Sequence, residues 1–226
     1  MSLPLAVLIS GSGSNLQSLI DSIEAGRLKA RIETVVSNTA DAYGLQRAER
    51  YGLRTQVLPH GDYPSREEYD RELVRAIKLA GAGAVVLAGF MRILSPEFIH
   101  AFEGRIVNIH PALLPAFPGI NAQKQAREYA VKLSGCSVHF VDEKMDHGPV
   151  IIQAAVPCYS EDDTDSLQKR ILSFEHRIYP QAVHWLAEDR LRIRGREVRV
   201  LEAPAPGIYC GEKGSALINP GLEPGF

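Results

Sequence analysis

The chain has 226 residues, of which 45% are hydrophobic and 23% are charged, and its formal net charge is -2. This composition is ordinary for a globular protein, and the length allows one large domain or two small ones. Because there is no basic excess, a nucleic-acid or anionic-membrane partner is not expected. A local cationic pocket for a small anion is still compatible with these totals.

The three cysteines are Cys136, Cys158 and Cys210, and no C-x-x-C spacing occurs. An odd number without such spacing argues against a disulfide framework or a zinc site and fits a reducing compartment. The first ten residues have no basic segment, and their apolar run is too short for a signal peptide or a membrane span. We therefore expect a cytoplasmic protein without a metal site.

Short apolar runs alternate with helical spacing in the first half of the chain. Residues 5–9 form a continuous apolar run before a glycine-rich turn, which is typical of a strand buried on both faces of a parallel sheet. Ser65 has Glu68 three residues later, a pattern typical of a helix start. The alternation predicts strands at 5–9, 35–36, 55–58, 84–88 and 105–109 and helices at 15–25, 45–51 and 65–79. Such an order indicates an α/β fold with a doubly wound, mostly parallel central sheet.

The pattern changes after about residue 119. It predicts helices at 122–129 and 165–187 and strands at 136–141, 150–157, 191–193 and 198–201, which gives an antiparallel C-terminal part. The tail, residues 203–226, contains four prolines and five glycines and is expected to be an extended or partly disordered extension. We expect one domain over residues 1–202, with halves at about 1–105 and 106–202.

A glycine loop, residues 11–15, separates the first predicted strand from the first predicted helix. Glycines let the backbone approach an anion, and a helix start offers free N–H groups and a favourable dipole. The loop therefore predicts a phosphate site, although a tight turn in which Ser14 or Asn15 caps the helix is the alternative. The full dinucleotide fingerprint is absent because Leu16 takes the third glycine position, and no Lys-Ser/Thr pair of a Walker A loop follows.

His110 lies just beyond a predicted buried strand, where α/β folds place their ligands. Histidine serves as an acid or base near neutral pH, and Asn108 is on the same side of an extended chain. An amide donor beside an acid is suited to the oxyanion of carbonyl chemistry. The alternative is a histidine hydrogen-bonded in a loop whose turn Pro111 fixes. The pattern alone does not separate these two interpretations.

Three further features have a functional and an ordinary interpretation. Residues 142–148 form an acidic turn, which is usually only solvated, although Asp146 is able to raise the pKa of a nearby histidine. Residues 89–94 suit either the pocket of a flat ligand or a buried loop. Glu175 lies within a predicted helix and Arg66 at the start of another, and either is compatible with a surface position. Sequence spacing alone does not bring Asp146 to His110.

Five segments in order make the chain similar to one known family. These are residues 9–16, 37–38, 88–95, 108–115 and 145–151. Together they resemble phosphoribosylglycinamide formyltransferase, the folate-dependent glycinamide ribonucleotide transformylase of purine synthesis. The resemblance covers residues 4–202 approximately. Each segment alone is weak evidence for the family, whereas the five in this order are specific for it.

The resemblance implies a formyltransferase-like fold with a Rossmann-type N-terminal half, and a reaction in which formyl passes from 10-formyltetrahydrofolate to the amine of glycinamide ribonucleotide. It implies a catalytic trio of Asn108, His110 and Asp146. The residues implied for the ribonucleotide are Gly11, Ser12, Gly13, Ser14, Asn15 and Glu175. The residues implied for folate are Arg66, Met91, Arg92, Ile93, Leu94, Phe140, Val141 and Asp142. No metal is implied, and a monomer or homodimer without a nucleic-acid or membrane partner is expected.

The chain also departs from the family pattern. Many members have histidine at the positions of Asn121 and Gln123, and glycine is common where His147 stands. These differences leave the contacts of the loop at 111–132 undefined. Its length and its prolines predict a mobile lid.

Three alternative functions are compatible with parts of this pattern. A formyltetrahydrofolate hydrolase would carry an additional N-terminal regulatory domain, and a methionyl-tRNA formyltransferase a larger C-terminal RNA-binding domain. The glycine loop at 11–15 also favours a ribonucleotide acceptor. A non-catalytic nucleotide-binding module would need this loop but not His110.

Overall fold

The computed structural model describes residues 2–226 and contains two compact units. The first unit extends to Asn108 and the second from Ile109 to Phe226. The change from one to the other falls within a strand that ends at His110, close to the division expected at 105. Because the tail belongs to the second unit, that unit is larger than the half expected from the sequence.

The first unit alternates strands with helices in the predicted order. Its elements are β1 (Leu3–Ile9), α1 (Ser14–Glu24), β2 (Ala30–Ser37), α2 (Tyr43–Arg50), β3 (Thr55–Val57), α3 (Arg66–Leu79), β4 (Ala84–Leu87), α4 (Pro96–Ala101) and the start of β5 (Ile106–His110). Sequence analysis missed α4, which is only six residues long, and a 3-10 turn at His60–Asp62. Short helices carry little periodic signal, so neither was predicted.

The sheet of the first unit is parallel and has the order β3-β2-β1-β4-β5. In its central strand, β1, the side chains of residues 5–9 are fully buried, as the continuous apolar run predicted. Ser65 caps α3 by accepting a hydrogen bond from the Glu68 N–H at 3.1 Å. Parallel strands direct their carboxyl ends to one edge, which is where the glycine loop and residues 89–94 begin.

The second unit is mainly antiparallel. Its elements after β5 are α5 (Ala122–Glu128), β6 (Leu133–Phe140), β7 (Val150–Pro157), α6 (Thr164–Ala187), β8 (Leu191–Arg194), β9 (Glu197–Val200), β10 (Gly207–Gly211) and β11 (Gly214–Asn219). Strands β6 and β7 pair antiparallel, and β8 and β9 form a separate hairpin. The predicted fold class, a largely parallel α/β sheet with an antiparallel C-terminal part, is confirmed.

The tail is ordered, in contrast to the extended or partly disordered segment that its composition suggested. It forms the β10–β11 hairpin, and β11 pairs antiparallel with β7. Gln181 on α6 donates to the Gly221 carbonyl at 3.0 Å and accepts from the Glu223 N–H at 2.6 Å. The Trp185 indole donates to Glu223 at 2.7 Å. Composition misled here because the partners that hold the tail lie on α6 and β7.

No helix within residues 2–226 has the length and apolar character needed to cross a membrane.

Candidate active site

His110 is buried at the end of β5, with only 4% of its surface exposed. Its Nε2 atom lies 2.8 Å from the Phe117 carbonyl oxygen, and its Nδ1 atom lies 3.5 Å from Asp146 Oδ2. A carbonyl oxygen only accepts, so Nε2 carries a hydrogen. The ring therefore donates to the Phe117 carbonyl at one nitrogen and faces the Asp146 carboxylate with the other.

Asp146 belongs to the acidic turn of residues 142–148, which connects β6 to β7. Its backbone has a positive φ of 50°, which is uncommon for a residue other than glycine. Its Oδ2 atom accepts a hydrogen bond of 2.7 Å from the Gly119 N–H. This bond and the proximity to His110 hold the carboxylate against the 111–132 loop. The structure thus brings together two residues that sequence spacing could not connect.

His139 is a buried member of this cluster that sequence analysis missed. Its Nε2 atom lies 3.8 Å from Asp146 Oδ1, and its Nδ1 atom lies 2.7 Å from the Phe140 carbonyl oxygen. Burial lowers the pKa of His139, so its neutral form is favoured. A neutral ring beside Asp146 leaves His110 as the better partner for the carboxylate. The only sequence signal was its position immediately before Phe140, in a strand that otherwise looked like core.

Asn108 and Glu175 are two further polar residues that the sequence assigned to the site. Asn108 lies two positions before His110 on β5, so the pleat directs both side chains to the same side of the strand. Asn108 is partly exposed, whereas Glu175 on α6 is buried.

The glycine loop packs closely against α2. Gly13 has φ of 69° and precedes α1 without a side-chain cap. A Cβ atom on Gly13 would lie 2.5 Å from the Gly44 Cα atom, so a larger residue would push the loop away from α2. Neither Ser14 nor Asn15 supplies the helix cap that was the alternative interpretation, since the cap residue is Gly13. The first backbone N–H groups of α1 are therefore directed outward from the N-terminus of the helix.

Arg47 on α2 is a cation that sequence analysis missed. Its Nε atom donates to the Ser12 carbonyl oxygen at 2.9 Å, and its guanidinium lies 5.0 Å from the centre of the Tyr43 ring. The side chain also donates to Gln17 at 3.3 Å. A positive charge thus lies against the glycine loop. Nothing in the sequence near Arg47 pointed to Ser12, because the contact depends on α2 packing beside α1.

Residues 89–94 follow β4 and present side chains of different exposure. Met91 and Ile93 are exposed, Leu94 is buried, and the Arg92 guanidinium lies 5.7 Å from the centre of the Tyr69 ring. Exposed apolar side chains at the carboxyl end of a strand suit a flat ligand. Arg66, by contrast, is bonded to the adjacent Glu67 at 3.1 Å on the surface.

The other proposed folate residues end β6 and begin the acidic turn. Phe140 is buried, and Val141 and Asp142 are partly exposed. Asp142 accepts from the Lys144 N–H at 3.0 Å and lies 2.9 Å from the His147 ring. Arg196 donates to the His147 carbonyl oxygen at 2.8 Å. His147, where the family often has glycine, therefore links the acidic turn to the turn between β8 and β9.

The loop after His110 is anchored at its start. Ser137 on β6 donates to the Ala112 carbonyl oxygen at 2.7 Å and accepts from the Leu114 N–H at 3.0 Å. Asn121, further along, has φ of 59° and precedes α5.

Within residues 2–226, no cluster of three or more His, Cys, Asp or Glu side chains is placed to hold a metal ion.

Comparison with known proteins adds the decisive observation. Residues 3–183 match the family model described as formyl transferase. The chain belongs to the formyl transferase family. The enzyme class and the resemblance proposed from the five segments are confirmed.

Individual members of the family support this assignment over nearly the whole chain. Phosphoribosylglycinamide formyltransferase of Escherichia coli is 47% identical over 84% of this chain and 89% of its own length. The structure of glycinamide ribonucleotide transformylase 1 from Symbiobacterium toebii is 49% identical with a TM-score of 0.88, over 89% of this chain and 95% of that one. The human trifunctional purine biosynthetic protein adenosine-3 is 44% identical over 84% of this chain, which matches 19% of that longer protein.

Proposed function

We propose that this formyltransferase moves the formyl group of 10-formyltetrahydrofolate to the amino group of glycinamide ribonucleotide. The products are formylglycinamide ribonucleotide and tetrahydrofolate, in de novo purine biosynthesis. The single observation that carries the proposal is the placement of buried His110 beside Asp146, with Asn108 on the same side of its strand. The names of the relatives point to the same acceptor.

The ribonucleotide is assigned to Gly11, Ser12, Gly13, Ser14, Asn15 and Glu175. In this assignment the glycine loop takes the phosphate, because its N–H groups begin α1 and Arg47 adds positive charge beside Ser12. Glu175 takes the glycinamide end, where a buried carboxylate would pair with an amine. These roles follow the resemblance position by position.

The folate is assigned to Arg66, Met91, Arg92, Ile93, Leu94, Phe140, Val141 and Asp142. Exposed Met91 and Ile93 would cover a flat ring system, and buried Phe140 would support it. Arg66 would bind the anionic end of the folate and give up its exposed ion pair with Glu67. Such a surface pair contributes little free energy, so its loss would hardly weaken folate binding. Asp142 would accept from the ring system.

The chemistry proceeds by direct attack. The neutral amine attacks the formyl carbon, a C–N bond forms, and the carbonyl oxygen becomes an oxyanion. Asn108 and cationic His110 each donate a hydrogen bond to it, and Asp146 stabilises the imidazolium. The attacking nitrogen releases a proton, N10 takes up a proton, and the C–N10 bond breaks as the carbonyl reforms. The reaction needs no covalent intermediate with the protein and no metal.

The His110 geometry adds a condition to this mechanism. Because Nδ1 faces Asp146, Nε2 is the ring atom left for the oxyanion, and in the structure it bonds to Phe117. Substrate binding must therefore displace the Phe117 carbonyl. This requirement supports a loop at 111–132 that changes position during the catalytic cycle.

A turnover assay with each acceptor tests the proposal, with tetrahydrofolate as the measured product. We expect release only with glycinamide ribonucleotide. Equal release with water alone would support a hydrolase, and release only with methionyl-tRNA would support the tRNA enzyme. Ribonucleotide binding without any release would identify a non-catalytic module. A cytoplasmic location and a monomer or homodimer remain predictions, which cell fractionation and sedimentation would test.

A further inference from the structure

Ser10 is the residue that joins the glycine loop to the segment at 89–94. It ends the strand region just before Gly11, and its backbone N–H donates to the Gly89 carbonyl oxygen at 3.0 Å. Its hydroxyl oxygen accepts from the Met91 N–H at 2.8 Å. The residue just before one proposed substrate loop therefore holds the first residues of the other.

Asn38 fixes the orientation of the Ser10 hydroxyl. The hydroxyl donates to Asn38 Oδ1 at 2.6 Å, and Asn38, at the end of β2, is buried. The Asn38 amide nitrogen lies 3.3 Å from His60 Nδ1. A hydroxyl has one hydrogen, so donation to Asn38 leaves its lone pairs directed to the Met91 N–H. One side chain thus connects the carboxyl ends of β1, β2 and β4.

We propose that Ser10 is a positioning residue that couples occupation of the glycine loop to the conformation of residues 89–94. A ligand that binds the N–H groups of residues 11–15 shifts the backbone next to Ser10. The Ser10 N–H, bonded to Gly89, and the Ser10 hydroxyl, bonded to Met91, transmit that shift to the second segment. Hydrogen bonds that share one atom polarise and support one another, so the unit responds as a whole. The proposal rests on the function proposed above and adds that the two substrates bind interdependently.

The sequence offers a matched set of variants. Ser10→Ala removes both hydroxyl bonds with a small change of volume, and Ser10→Thr keeps the hydroxyl. Asn38→Ala removes the acceptor that orients it. Ser37→Ala is the control, because buried Ser37 precedes Asn38 and its hydroxyl bonds to the backbone of Thr39, at 2.7 Å and 3.1 Å.

Amide hydrogen exchange of the full chain measures the coupling without turnover. Glycinamide ribonucleotide, and separately ribose 5-phosphate, should slow exchange at residues 89–94 of the wild type. In Ser10→Ala the Met91 amide should exchange about three- to tenfold faster than wild type without ligand, and the response of the Met91 amide to either ligand should disappear. Ser10→Thr should regain the response, Asn38→Ala should weaken it, and Ser37→Ala should keep it.

Binding measurements give the second readout. In the wild type, tetrahydrofolate should tighten glycinamide ribonucleotide binding about fivefold, and this factor should fall to about one in Ser10→Ala. A Ser10→Ala protein with the wild-type factor and the wild-type exchange response would overturn the inference. The inference would also fail if neither ligand changed amide exchange at residues 89–94 of the wild type. A wild type without turnover that still shows the ribose 5-phosphate response would refute the proposed function and leave the coupling standing.

Discussion

Asp146 Oδ2 lies 3.5 Å from His110 Nδ1 while it also accepts the Gly119 N–H at 2.7 Å. One carboxylate thus holds both the proposed acid and the loop that follows it. One carboxylate oxygen is able to face a histidine ring and accept from a backbone amide because it offers more than one lone pair. In the proposed mechanism, Asp146 therefore connects catalysis with the position of the loop.

Replacement of His110 should reduce turnover far more than ribonucleotide binding. His110→Ala removes one donor to the oxyanion, which typically costs about 10²–10³-fold in rate. Steady-state kcat and calorimetric affinity for glycinamide ribonucleotide would separate the two effects. His100→Ala, at an exposed position on α4, is the control and should retain turnover. Wild-type turnover in His110→Ala would remove this residue from the mechanism.

Replacement of Asp146 should lower the rate. Asp146→Asn keeps the shape but loses the charge, so it becomes a weaker acceptor for His110 and for the Gly119 N–H. Turnover, measured as kcat, should therefore fall about tenfold to a hundredfold. Glu143→Gln, an exposed neighbour in the same turn, should keep the wild-type kcat. A wild-type kcat in Asp146→Asn would show that the Asp146 charge does not support the histidine.

Arg47 should matter only for acceptors that carry a phosphate. The guanidinium bonded to Ser12 lies beside the proposed phosphate site, and loss of one charge-assisted bond weakens binding by about tenfold to a hundredfold. Arg47→Ala should therefore raise KM for glycinamide ribonucleotide and leave KM for the phosphate-free ribonucleoside unchanged. Arg50→Ala is matched, because Arg50 also lies over Tyr43, at 5.6 Å. An equal loss with both acceptors would indicate that Arg47 only maintains the loop.

The ion pair of Asp162 and Arg170 should contribute to stability at neutral pH and lose that contribution in acid. Arg170 binds both carboxylate oxygens, at 2.6 Å and 2.7 Å, and lowers the pKa of Asp162 to about 2. A carboxyl with a lowered pKa stabilises the fold above its unfolded pKa of about 3.9, and this stabilisation disappears as the pH falls towards 2. Asp162→Asn should cost about 3 kcal/mol at pH 7.

Urea unfolding at several pH values would measure this effect. The difference between wild type and Asp162→Asn should shrink between about pH 4 and pH 2. Asp189→Asn, which alters an exposed pair with Arg192, should cost less than about 1 kcal/mol throughout. A constant difference for Asp162→Asn down to pH 2 would contradict the assigned pKa.

The tail should detach when its anchor on α6 is removed. Gln181→Leu keeps the volume but leaves the Gly221 carbonyl and the Glu223 N–H without their partner, at a cost of about 2–4 kcal/mol. Limited proteolysis should then cut within residues 203–226 before the rest of the chain. Gln46→Leu, at an exposed position on α2, should leave the cleavage pattern unchanged. Equal protease resistance in Gln181→Leu would mean that the β11–β7 pairing and the Trp185–Glu223 bond hold the tail without Gln181.

Sequence patterns predicted most of the fold because those signals are local. The apolar run at 5–9 and the Ser65 cap each depend on neighbouring residues, and both are confirmed in β1 and α3. The six-residue α4 and the β10–β11 hairpin were missed. The first is too short for periodicity, and the second depends on pairing with β7.

By itself the sequence determined the fold class, the family and the candidate residues, since each rests on a local pattern or on segments in a fixed order. Only the tertiary structure decided that Asp146 faces His110, that buried His139 stands beside it, and that Arg47 reaches Ser12. It also decided that Ser10 joins two loops. The physical reason is that these contacts link residues far apart in the chain. Their distances depend on how strands pair and helices pack, which no local pattern records.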